Sequence, residues 1–145
     1  MIRYLLDTNV LLHLVNKVNG YELIERKLLQ TTANTLAVSV ITVWEIFCMI
    51  EKAKVPTKST SAALVMLEKF RVIPMTTSAA ALGGQLHASL ANVGKTIGER
   101  DSMIAGIAKT NGYILVTDNT GEFQRVPGLQ IENWRKQPSN KLPTA

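Results

Sequence analysis

Four acids in this sequence sit in surroundings that do not favour a free charge. Asp7 follows the apolar run YLL, and Glu45 stands inside VSVITVWEIFCMI. Asp101 comes one serine before MIAGIA, and Asp118 directly follows YILVT. Glu122, a few residues later, is a fifth candidate. A carboxylate flanked by core residues is expected to be partly buried, and an unpaired one then takes up a proton or finds a cation. Several that converge raise one another's pKa unless a divalent ion lies among them. Ligation by carboxylate oxygens alone selects a hard cation, Mg²⁺ or Mn²⁺. Neither His13 nor His87 neighbours an acid or cysteine at ligand spacing, and the single cysteine, Cys48, cannot supply a cysteine-rich zinc site or an internal disulfide.

The charge balance says what such an ion could be used for. The chain has 16 Lys/Arg and 11 Asp/Glu, a net charge of +5. Setting four site acids aside leaves 7 negative groups against 16 positive, a surplus of nine. A carboxylate-held metal inside an otherwise basic protein suits the cutting of a phosphodiester: basic groups hold the backbone phosphates, and the metal polarises a phosphoryl oxygen and activates a water. Other chemistries lack their loops. No GxGxxG follows the first apolar run, and no GxxxxGK[ST] or GxSxG is present.

The elements that must position these acids alternate. Ile2 to Leu6 reads as a buried strand, followed by a short helix over Val10 to Val15 and another over Tyr21 to Leu29. Thr35 to Val40 is a second strand, and a helix follows from Ile41 to Lys52. Pro56 interrupts the pattern, and Thr57 or Ser59 caps a helix that runs to Phe70. Arg71 to Met75 is a third strand, whose Pro74 argues for an edge. Ser78 to Leu90 is helical, with Gly83 and Gly84 marking close packing. A helix over Glu99 to Thr110 stops at Asn111-Gly112, Tyr113 to Thr117 is a fourth strand, and Leu129 to Ile131 is a fifth. Strands alternating with helices imply a parallel sheet covered on both faces. In such a sheet Asp7 and Asp118 stand at carboxyl ends of strands, where open α/β sheets bind ligands. Asp101 lies in the first turn of its helix, and Glu45 about one turn into the helix leaving the second strand.

The chain has 145 residues, the size of one compact unit, with 46% apolar residues for a core. Residues 1–134 read as that unit, and Arg135 to Ala145 (RKQPSNKLPTA) as a loose tail. The longest apolar stretch, Leu36 to Ile50, holds Glu45 and falls short of the ~20 apolar residues that a membrane span requires. The first residues read as a strand and not a secretory signal, and a single thiol fits a reducing cytoplasm.

These residues together resemble the PIN domain family, and more closely its VapC-type ribonuclease toxins. The resemblance runs through LLDTNV from Leu5, Ser39-x-x-Thr42-x-x-Glu45, IGERDSMIAGIA from Ile97, and LVTDNTGEFQRVPGLQIENW from Leu115 to Trp134. It implies a PIN-like three-layer α/β fold, with a central parallel sheet of four or five strands flanked by helices. It implies RNA cleavage dependent on Mg²⁺ or Mn²⁺, a homodimer, and inhibition by a VapB-type antitoxin. Carried onto this chain, Asp7, Glu45 and Asp101 match the three best-defined acids of the family. The fourth falls within Thr117, Asp118, Asn119, Glu122 and Phe123. Asp118, the acid nearest the strand end, is taken as the fourth ligand, with Glu122 next and Asn119 in the slot where many relatives have the ligand. Thr8 and Asn9 would orient Asp7 by hydrogen bonds. Ser39 and Thr42 would do the same near Glu45, or simply cap their helix.

Each of these residues also has an ordinary structural reading. Asp7 can be a helix cap, Glu45 part of an amphipathic face, Asp101 a first-turn acid favoured by the helix dipole, and Asp118 a turn residue. Needing all four readings at one sheet edge weakens them together. Arg100 could bind a phosphate beside the metal, or be a solvated helix residue. Trp44 and Phe47 read as core or dimer packing before a base-stacking platform, Trp134 as a cover for the sheet end, Cys48 as a small buried apolar residue, and His13 and His87 as solvent or interface groups. Two rival functions stand beside the nuclease: an RNA-binding or regulatory domain with a vestigial pocket, and a phosphoacceptor receiver-like domain.

Overall fold

In a computed structural model, residues 1–55 and 57–136 are described. The order is β1 (Tyr4–Leu6), α1 (Thr8–Val15), α2 (Tyr21–Gln30), β2 (Leu36–Ser39), α3 (Val40–Lys52), α4 (Lys58–Leu67), β3 (Arg71–Ile73), α5 (Thr77–Asn92), α6 (Glu99–Asn111), β4 (Ile114–Val116), α7 (Thr120–Phe123) and β5 (Ile131–Glu132), with a 3₁₀ turn over Ala33–Thr35 before β2. The five strands form one sheet in the order β3-β2-β1-β4-β5, and every neighbouring pair is parallel. The chain winds outward from β1 through β2 to β3, then crosses back to β4 and β5. The point of reversal is therefore β1, the place where an open α/β sheet opens a crevice beyond its strand ends.

Side chains alternate across the sheet as a period of two requires. Leu5, Ala37, Ile73 and Leu115 pack on one face with Leu86, Ile104, Ile107 and Phe123 of the α5–α6–α7 side. Leu6, Leu36, Val38 and Val116 pack on the other with Val10, Leu14, Ile24, Ile46, Leu67 and Trp134. This is the sheet covered on both faces that the apolar runs of the sequence imply.

The strands are shorter than the sequence pattern suggests because the flanking residues serve as caps and turns. Ser39 ends β2 and caps α3, its Oγ accepting from the Thr42 amide, so β-branched Val40 begins the helix. Ile2 lies outside β1 and is exposed. The interruption expected at Pro56 lies outside the described residues, but Thr57 does cap α4, in a reciprocal pair with Thr60. β3 is an edge strand, as Pro74 suggests. Between α5 and α6 the approach is close: a Cβ on Gly83 would stand 3.0 Å from the Ser102 carbonyl oxygen, and one on Gly106 only 2.5 Å from that of Ala79. Gly84 has open space and plays no part in this crossing. Among the described residues no helix is long and apolar enough to cross a membrane.

Candidate functional site

Register alone builds the centre of the site. Leu6 is level with Val38 on β2 and Val116 on β4, so the next residues out are Asp7, Ser39 and Thr117, in line across the three central strands. All three are buried. Asp7 caps α1: its Oδ1 accepts from the Thr8 amide at 2.8 Å, and its Oδ2 accepts from Thr117 Oγ1 at 2.9 Å. Asp7 is 5% exposed, and burial lifts its pKa to about 6 from an ordinary 3.8. The two hydrogen bonds oppose the rise, and the charges of Glu45 and Glu122 add to it.

Thr8 links Asp7 to Glu45. Its Oγ1 is 2.9 Å from both Thr42 Oγ1 and Glu45 Oε1. A carboxylate can only accept, so the one Thr8 proton goes to Glu45, and Thr42 supplies its own proton to Thr8. Thr42 thus reaches Glu45 through Thr8, while Ser39 does no more than cap the helix.

Asp101 lies on the first turn of α6, after the N-cap Gly98. Burial again lifts its pKa, to about 7, with the charges of Asp7, Glu122 and Glu45 contributing next. Glu122, from the short α7, completes the group. Its Oε1 accepts from the Gly98 amide at 2.9 Å, and its Oε2 accepts from Asn119 Nδ2 at 2.7 Å. These donors, Asn119 foremost, hold Glu122 below the usual carboxylate range against the effect of burial. Asp101 and Glu122 also hydrogen-bond to each other, which raises the first and lowers the second. Asn119 ties the halves together, since its amide donates to Thr117 Oγ1 at 3.0 Å.

Asp118 has other neighbours. Its Oδ1 accepts from Asn133 Nδ2 at 3.1 Å and Arg135 Nε at 3.2 Å, and its Oδ2 meets Arg135 Nη2 at 2.7 Å. Asn9, expected to orient Asp7, instead places its Oδ1 3.5 Å from the Asp118 amide. Arg135 was assigned to the tail on composition, yet it is held here; Gly20, with φ +92°, leaves room for it, because a Cβ there would stand 2.7 Å from Arg135 Cγ. Its partner lies 17 residues away, and no local pattern announces the pair. The rest of the expected tail, 137–145, lies outside the described residues. His13 is half-buried, and burial followed by the charge of Arg135 lowers its pKa while Asp118 opposes.

Arg100, next to Asp101, places its Nε 3.4 Å from Glu45 Oε2 and its guanidinium 5.2 Å from the centre of the Trp44 ring. Trp44 and Phe47 are exposed, not core, and Cys48 is half-buried. Trp134 covers the sheet as expected, edge-on to Tyr4 with ring centres 5.1 Å apart.

The donor set fits a hydrated hard cation. Among the described residues no three acidic, histidine or cysteine side chains close directly around a single point. Mg²⁺ does not require that, since it keeps several waters and takes one or two carboxylates directly. Raised pKa values at Asp7 and Asp101 are what clustered carboxylates show when a cation's charge is not among them.

Comparison with known proteins bears on the family and the fold. The PIN domain family profile matches residues 4–129. This chain belongs to the PIN domain family. It is 34% identical over 134 residues to "Ribonuclease VapC2" of Haemophilus influenzae and to "tRNA(fMet)-specific endonuclease VapC" of Salmonella typhimurium, in each case covering 92% of this chain and 99% of the relative. Within the PIN domains it therefore falls among the VapC ribonucleases. Its fold is similar to that of a chain in the crystal structure of DNA-bound VapBC from Salmonella typhimurium, with a TM-score of 0.82 and 33% identity, covering 92% of this chain and 99% of that one. A chain of VapBC-1 from nontypeable Haemophilus influenzae matches with a TM-score of 0.77 and 31% identity, over 94% and 100% of the two chains.

Proposed function

We propose that this PIN domain is a divalent-metal-dependent endoribonuclease, with Mg²⁺ as the working ion and Mn²⁺ able to replace it, and that it is the toxin of a VapBC-type pair. The observation that carries the reading is the convergence of Asp7, Glu45, Asp101 and Glu122 where the sheet reverses direction, with burial and mutual charge lifting Asp7 and Asp101 above the usual carboxylate range. In this assignment Glu122 takes the fourth place in preference to Asp118, whose carboxylate already has the Arg135 guanidinium. Asn119 serves as the donor that holds Glu122 ionised.

When bound, the ion would polarise a phosphoryl oxygen and lower the pKa of a water for in-line attack. The chain's own residues prepare the ground for it. Thr8 and Thr117 fix the Asp7 carboxylate in one orientation, and the Thr42–Thr8 relay fixes Glu45. Arg100, at the mouth of the site, is placed to hold a backbone phosphate.

The VapBC structures that this fold matches support a VapB-type antitoxin as partner. A homodimer is part of the same reading. It is supported by apolar surface left open on α3 and at the β3 edge, where Val40, Phe47, Val72 and Met75 are all exposed. The lack of a membrane-crossing helix among the described residues accords with action in the cytoplasm, where RNA is found.

The test is cleavage of total cellular RNA by the purified protein. Cutting is expected with Mg²⁺, is expected to stop with EDTA, and is expected to return when Mn²⁺ is added. Cutting that persists in EDTA would remove the metal from the reading; RNA bound but never cut would favour a regulatory RNA-binding domain.

A further inference from the structure

Trp44 is the feature that the acid site does not use. It lies one residue before Glu45 on α3, yet its side chain is more than half exposed at 54%. An exposed tryptophan on a helix is ordinarily a poor use of a large apolar surface. Here it forms one wall of a cleft of about 420 Å³, lined also by Glu45, Cys48, Met49, Lys52 and Arg100. A second cleft of similar size is lined by Glu45, Gly98, Glu99, Arg100 and Asp101. The two share Glu45 and Arg100, so the trough along α3 continues into the acid cluster. Trp44, Cys48 and Lys52 follow one another at helical spacing of four and therefore lie along one stripe of α3.

We infer that this cleft is a nucleobase subsite in which Trp44 stacks on a base of single-stranded RNA flanking the phosphate held at the acids. The inference rests on the ribonuclease reading. Three properties of the cleft fit this ligand. The Arg100 guanidinium covers one face of the Trp44 ring, and the opposite face of this half-exposed indole is left to stack on a base of any kind. Arg100 uses only its Nε on Glu45, and its terminal nitrogens have no partner among the described residues, so they can take a phosphate next to the stacked base. Lys52, two helical turns along the stripe, supplies a second cation at the spacing of a continuing backbone. The trough is lined by side chains of a single helix and one facing arginine, a lining that suits a single base better than a duplex. Arg100 over the Trp44 ring holds the indole in place before RNA arrives.

Intrinsic fluorescence tests the inference, because the chain has two tryptophans and the other, Trp134, is buried. A short single-stranded oligoribonucleotide added to the full-length protein in EDTA should quench the emission. Trp44→Leu should abolish the quench and weaken binding about tenfold or more, whereas Trp44→Phe should keep most of the affinity. One abasic position in the oligonucleotide should weaken binding to the natural protein and leave Trp44→Leu unaffected. In cleavage, Trp44→Leu should raise KM with little change in kcat. Equal binding by the natural protein and Trp44→Leu, with Mg²⁺-dependent cleavage intact, overturns the subsite and leaves the nuclease standing. Loss of RNA affinity that only follows dissociation of Trp44→Leu to monomers, seen by sedimentation, overturns it in favour of a dimer contact. A natural protein that neither binds nor cuts RNA sinks both readings.

Discussion

Asp101 and Asp118 are alike in residue type, and both are partly buried beyond the carboxyl ends of the sheet, yet they are held in opposite ways. Asp118 receives a bidentate arginine and an asparagine, so its charge is met in full by protein. Asp101 faces three other acids, and burial together with their charge lifts its pKa to about 7. The first arrangement is structural: it fastens the segment after β5 to the loop after β4. The second leaves carboxyls facing one another, a repulsion that the proposed cation would relieve.

Breaking the second arrangement should have the largest effect. Asp7→Asn retains a capping side chain, so the fold should persist by circular dichroism while Mg²⁺-dependent RNA cleavage falls by about 100-fold or more. Cleavage within threefold of the natural protein would falsify a role for Asp7 at the ion. Next comes Asn119→Ala, which removes the donor foremost in keeping Glu122 ionised. Activity should drop by about 10- to 100-fold, and the acid limb of the pH–rate profile should move to higher pH. A purely structural defect would lower the rate without moving that limb.

Linkage gives a third way to sharpen the contrast. Asp7 and Asp101 have folded-state values of about 6 and about 7, above an ordinary 3.8. Between these limits the folded protein binds more protons than the unfolded chain, so without divalent metal its stability should fall as pH rises from 4 through 7. Mg²⁺ competes with those protons and should raise Tm more at pH 8 than at pH 5. A Tm increment independent of pH would detach the ion from these acids. The smallest effect is expected at Asp118→Asn: about 1 kcal/mol of stability, allowing for the partial exposure of the pair, and less than threefold in cleavage. A loss as deep as that of Asp7→Asn would return Asp118 to the catalytic group.

Much of this was legible in the residues. Apolar runs ending at Asp7 and at Thr117 located the sheet edge, and the apolar flanks of Glu45 and Asp101 marked acids out of place. Choosing between Asp118 and Glu122 was another matter. They are only four residues apart, and what separates them is Arg135, whose approach depends on the left-handed Gly20 and on the end of β5. Such a partnership is set by tertiary packing and leaves no period or spacing behind. The exposure of Trp44 was hidden for a similar reason. Val43, Ile46 and Phe47 beside it in the chain are apolar, and only the path of α3 along the site reveals which stripe stays open.

The glycine beneath α5 has a consequence of its own. With no space for even a methyl group at Gly106, α6 is keyed against its neighbour and cannot slide along its axis. Asp101 and Arg100, more than a turn upstream, inherit their coordinates from that lock. Damage to catalysis can therefore originate on the far side of the helix, at a position that carries no charge and touches no RNA.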